Sequence, residues 1–134
     1  MSSEPSTEVI ELTFPASSKF VRLSRLAAAS VAAELDFDVE SVDDLRIAVD
    51  EAVTMLVSGG HAARVALRFQ PTETGLDVQG HCAGDGVDPV ELSDLVEAIL
   101  SATTDEHHFE SGNGSRTFTM TKHRGDYANE TGLE

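Results

Sequence analysis

Few side chains in this chain have the type and spacing to do chemistry. Glu51 follows Asp50 in DDLRIAVDEAVTMLV, and a carboxylate held on a helix can serve as a general base. Adjacent acids on a helix are more often simply solvated. Cys82 is the single cysteine, so it makes no internal disulfide, and without an assured basic neighbour it reads as a packed thiol rather than a nucleophile. His107 and His108 are adjacent; on a strand they face opposite ways and cannot easily share one ion, and His61, His81 and His123 add no metal-ligand spacing. Gly84-Asp85-Gly86 has the glycines of a phosphate loop, but an acid inside it repels phosphate. Arg22 and Arg25 are two of only nine basic residues. The acids Glu34, Asp36, Asp38, Glu40, Asp43 and Asp44 bunch around the turn between the first two helices and form either a solvated face or a patch for a basic partner.

The chain has 134 residues, with 9 Lys+Arg against 24 Asp+Glu and a net charge of −15. That length suits one domain able to bury roughly two-thirds of its unfolded surface. The charge and the lack of Lys/Arg clusters speak against nucleic acid and anionic membranes, and favour a basic protein surface as partner. No apolar run reaches the roughly 20 residues of a membrane span. The polar start at Met1–Glu8 is unlike a signal peptide, so a soluble cytoplasmic protein is expected.

The elements that must position these residues follow from periodicity. Residues 1–7 and 125–134 read as flexible tails around a domain at 8–124. Ile10, Leu12 and Phe14 alternate as a half-buried strand. A helix over Lys19–Leu35 carries Phe20, Leu23, Ala27, Val31 and Leu35 on one stripe. A second, over Ser41–Val57 with Ser41 as N-cap, clusters Val42, Leu45, Val49, Ala52, Val53 and Leu56. Glu51 falls nearly opposite, flanked by Ile47 and Met55. Strands at 64–69 and 76–80 form a hairpin, and 81–88 reads as a loop. A third helix runs from Pro89 to about Ala102, and two strands flank Gly112-Asn113-Gly114. The pattern predicts an α+β two-layer sandwich, a mostly antiparallel sheet with about three helices on one face.

From Glu8 to Arg124 the chain resembles the anti-sigma factor and serine-protein kinase family of bacterial partner-switching systems, of histidine-kinase-like ATPase fold. The resemblance rests on LTFPASSKFVRLSRLAAASVAAELDF, on DDLRIAVDEAVTMLV and on GSRTFTMTKH. It implies a site for Mg-ATP between sheet and helices, phosphorylation of a Ser on an antagonist, and capture of a sigma factor. Glu51 matches the family's general base. The family's Mg-binding Asn is Met55 here, and a thioether is a poor ligand for a hard cation. The Asp that binds adenine is replaced by Cys82, with Gly84 still in place, unless a shift of two or three residues brings in Asp85. The ATP lid and its glycine loop are missing. The resemblance therefore implies a degenerate member that binds protein, with Glu51 a relic, Glu51, Met55, Cys82 and Gly84 a remnant pocket, and no cofactor or metal. It also implies a sigma factor or anti-sigma antagonist as partner, a possible homodimer, and a first helix that meets the sigma factor with Arg25 at the family's Arg; together with the charge pattern this makes Arg22, Arg25, Asp43 and Asp44 the partner-binding candidates. The alternative is an active ATP-dependent kinase with an unusual nucleotide site, and a third reading is an anti-anti-sigma or adaptor protein.

Overall fold

The computed structural model describes residues 8–125. The expected tails fall outside these residues, apart from Gly125. Five strands form one antiparallel sheet: β1 (Ile10–Pro15), β2 (Arg64–Pro71), β3 (Gly75–Ala83), β4 (Glu106–Gly112) and β5 (Ser115–His123), in the order β1-β2-β3-β5-β4. The helices α1 (Val21–Glu34), α2 (Val39–Val57) and α3 (Asp94–Thr103) complete the chain. Val65, Leu67 and Phe69 of β2, Leu76, Val78 and Cys82 of β3, and Phe118 and Met120 of β5 bury against Leu45, Val49, Val53 and Leu56 of α2 in one core. The opposite sheet face carries Glu11, Arg68, Gln79 and His81 and is exposed. This is the α+β sandwich that the period-two and period-3.6 patterns predict. At its centre Gly80 lies opposite Phe118, whose ring would sit 2.2 Å from any Cβ placed there.

Five local expectations shift. A 3-10 turn at Ser18–Phe20, with Ser17 accepting from the Lys19 N–H, precedes α1, so the first helix starts at Val21. Its buried face is Val21, Ser24, Ala28 and Ala32 rather than a stripe through Leu23, which is 44% exposed. Small side chains let α1 lie close on α2, and that close approach rotates the larger leucines outward. At the end of α1, Asp36 adopts φ +66, while the Phe37 N–H reaches the Ala32 carbonyl and the Asp36 N–H that of Ala33. This is a Schellman stop with buried Phe37 closing it.

The N-cap of α2 is Asp38, whose Oδ1 accepts from the Ser41 N–H at 2.7 Å; Ser41 itself is buried in the first turn. Strand β3 continues through Cys82 to Ala83, so the thiol is a core residue and not part of a loop. The third helix begins at Asp94, capped by Ser93, because the Val90 N–H is held by Ser111 Oγ and Pro89 to Leu92 stay non-helical.

Candidate functional site

Helix α2 presents two faces, as its sequence requires. Ile47, Glu51 and Met55, spaced four apart, share a half-exposed face, and Glu51 has no hydrogen-bond or ion-pair partner among the described residues. Its last turn points towards the loop after β3. There the structure supplies a residue that sequence reasoning passed over, Arg116 of β5.

Arg116 is 2% exposed. Its Nη1 donates to the carbonyls of Met55 (3.0 Å), Leu56 (3.2 Å) and Ser58 (2.9 Å), and its Nε donates to the Asp88 carbonyl at 2.8 Å. It forms no ion pair with a carboxylate among the described residues. A buried cation without a counter-ion is costly in general. Here the orphan carbonyls at the end of α2, carrying the negative end of the helix dipole, take that role. One guanidinium thus joins α2, the loop after β3 and the sheet. The signal was present in the sequence: in GSRTFTMTKH, Arg116 shares its face with the inward Phe118 and Met120.

Cys82 lies directly across from Arg116 in the β3–β5 register and is fully buried. Its Sγ is 3.9 Å from His61 Nε2. That nitrogen lies 3.0 Å from the Leu56 carbonyl and donates to it, while Nδ1 accepts from the Ala63 N–H at 3.4 Å. With Nε2 donating to the Leu56 carbonyl, that nitrogen does not accept from the thiol. Burial pushes the thiol pKa up, against a smaller opposing effect of Arg116. Burial prevails, and the thiol is packed and inert.

Of the four remnant-pocket candidates, Met55 meets Arg116 through its carbonyl, Cys82 pairs with Arg116 across the strands and Gly84 lies on the following loop, while the Glu51 side chain bonds to none of them. Cys82 and Val87 are both buried, the latter 2% exposed. Gly84 and Gly114 tie the loop to the β4–β5 turn through Gly84 N–H to Gly114 carbonyl and Gly114 N–H to Val87 carbonyl, both 2.9 Å. Asp85, the shifted candidate, is exposed on that loop. Among the described residues no cluster of three or more His, Cys, Asp or Glu could hold a metal. His107 meets Glu97 at 2.9 Å and His108 meets Glu110 at 3.0 Å, on opposite faces of β4.

The partner-surface candidates separate into free and committed residues. Arg22 is exposed and without an ion pair among the described residues. Arg25 is not free: its Nη1 lies 3.4 Å from Asp50 of α2. Asp43 pairs with Arg46 one turn along, and Asp44 with Lys122 of β5 at 3.2 Å. Leu23 and Leu26, 44% and 56% exposed, stand beside Arg22 on the outer face of α1. Leu26 was missed because helical periodicity gives the spacing of a stripe and not which stripe faces inward.

Comparison with known proteins gives a consistent set of relatives. The chain is similar to serine-protein kinase RsbW of Bacillus velezensis, 32% identical over 106 residues that cover 75% of this chain and 66% of the relative. RsbW of Bacillus pumilus is 29% identical over 113 residues, covering 80% and 70%. RsbW of Halalkalibacterium halodurans is 42% identical over a shorter stretch of 73 residues, covering 53% of this chain and 45% of the relative. The chain thus spans about two thirds of the length of the first two. A solved structure of RsbU and RsbW domains from Mycobacterium tuberculosis superimposes with a TM-score of 0.69 at 21% identity, over 87% of this chain and 32% of that one; it shares the fold. No protein-family model matches the chain. No helix among the described residues is long and apolar enough to cross a membrane.

Proposed function

The chain belongs to the anti-sigma factor and serine-protein kinase family of RsbW, and from that premise we propose that it is a protein-binding regulator without kinase activity. In this reading residues 8–124 are one cytoplasmic histidine-kinase-like ATPase domain. Its outer α1 face binds a sigma factor or an anti-sigma antagonist.

The observation that carries the reading is Arg116. Between sheet and helices, where the resemblance puts a nucleotide, this chain buries its own guanidinium against Met55, Leu56, Ser58 and Asp88. The remaining residues do not fit Mg-ATP either. Met55 offers sulfur where magnesium wants oxygen, and Cys82 is fully buried where adenine wants a carboxylate. Phosphoryl transfer depends on positioning and on charge stabilisation by the metal, so these losses act together. Binding needs none of that machinery. Arg22, Leu23 and Leu26 give a cation beside an apolar patch, suited to a partner helix that carries a carboxylate beside apolar side chains.

The test is a thermal-shift titration of the whole chain with ATP, with and without magnesium. Unchanged melting at millimolar nucleotide is expected, because a ligand binding the folded state well below that concentration must raise the melting temperature. A magnesium-dependent rise overturns the reading. The active-kinase reading draws support from the names of the relatives and from the uncommitted carboxylate of Glu51. Under it, the same titration shows the shift, and a phosphoserine forms on an antagonist.

A further inference from the structure

Helix α3 is short, apolar and poorly covered. Of its residues Leu100 and Thr103 are buried, whereas Leu95 is 69% exposed. At about 100° per residue, Val96, Leu100 and Thr103 form the core-facing side. Leu95, Ala98, Ile99 and Ala102 form a second side next to it; Ile99 is half-buried at the seam, and the others are exposed. Asp94 borders that second side. Residues 84–97 hold five acids, Asp85, Asp88, Glu91, Asp94 and Glu97, and no Lys or Arg. Glu97 meets His107, but the other four carboxylates have no cation among the described residues.

We propose that this α3 face is a second docking surface, separate from the outer face of α1, and that it takes an amphipathic helix of a partner protein with apolar side chains along one stripe and Lys or Arg at its edge. The apolar side supplies area to bury, with Leu95 as anchor, and an exposed leucine gains most from being covered. Asp94, exposed at the border of that side and without an ion-pair partner among the described residues, selects a cation at the edge of the occupant and disfavours an acidic one. The α1 face has the opposite character, with Arg22 beside its leucines, so the two surfaces suit different occupants and do not compete.

The probe is a short, labelled Leu/Lys amphipathic peptide, titrated into the whole chain at physiological salt and read by fluorescence anisotropy. A peptide of equal charge whose leucines are replaced by serine is the control. Leu95→Asp should weaken the Leu/Lys peptide by about tenfold or more, the loss of one well-covered leucine, with an unchanged melting temperature because Leu95 is exposed. Leu26→Asp should leave affinity within about twofold, a few tenths of the energy of a tenfold change. The control should bind at least about tenfold more weakly, for the same reason as Leu95→Asp. If Leu95→Asp unfolds the chain, Ala98→Arg tests the same face. Equal binding by these α3 variants and wild type overturns the proposal. So does an equal loss in Leu26→Asp, or equal binding of the serine control, which would make the attraction charge alone.

Discussion

The last turn of α2 and the outer face of α1 lie on neighbouring helices and treat their arginines in opposite ways. At the first, Arg116 is buried and donates to carbonyls from two segments, so its charge is spent inside the molecule. At the second, Arg22 is exposed without an ion pair among the described residues, beside two leucines that the core does not use. Arg25 stands between these extremes, half-exposed and bonded to Asp50. The difference teaches that a cation in an acidic chain marks a binding surface only after its intramolecular partners are counted. By that measure Arg22 gains weight over Arg25, and Asp43 and Asp44 lose it through Arg46 and Lys122.

The comparison breaks most sharply at Arg116. Arg116→Met keeps much of the volume but leaves the carbonyls of Met55, Leu56, Ser58 and Asp88 without their buried donor. A loss of about 3 kcal/mol is expected, a fall of roughly 10 °C in melting temperature. A change below about 1 kcal/mol would mean that the carbonyls find water instead, and that the region is open.

On the α1 side the effect should appear in binding and not in stability. Once a partner is identified, Arg22→Ala or Leu26→Asp should weaken it by about 2 kcal/mol, roughly thirtyfold, with melting nearly unchanged. Arg25→Ala should cost less affinity, because its guanidinium is shared with Asp50, and the internal pair itself is worth about 0–1 kcal/mol. Surface plasmon resonance with matched melting curves separates the two, and a larger binding loss for Arg25→Ala than for Arg22→Ala would reverse the assignment.

The smallest expected effect concerns the start of α2. The Ser41 backbone N–H, followed by the Ser41 hydroxyl, holds the Asp38 carboxyl below its ordinary value. A depressed folded-state pKa contributes stability above the ordinary carboxylate value, and that contribution disappears as pH falls through the folded-state value. Asp38→Asn keeps an N-cap oxygen but removes the titration. Its acid denaturation curve should therefore lose stability less steeply than wild type, as followed by circular dichroism, while a parallel curve would show that the cap carries no charge dependence.

Much of the fold was legible because local patterns repeat what the tertiary structure needs. Alternation at Val65, Leu67 and Phe69, the Asn113-Gly114 turn and the core stripe of α2 each predict their elements. The boundaries at Ser41 and Pro89 were misplaced for a shared reason. A capping residue or a helix-starting proline states what is permitted locally, whereas Asp38 and the Ser111 hydroxyl decide what is bonded. The candidate site was less legible. Glu51 and its apolar neighbours follow from helical spacing alone, and Met55 and Cys82 from the order of residues in the resemblance.

The amino-acid order alone determined the alternating strands, the two-faced α2 and the acidic surface, because each depends on composition or on residues within a few places of one another. Only the tertiary structure decided that α1 turns its leucines outward, that Arg25 and Asp44 are already paired, and that Arg116 closes the end of α2. Those outcomes depend on which distant backbone atoms and side chains come within hydrogen-bonding reach, over separations of 25 to 78 residues along the chain, and periodicity carries no information at that range.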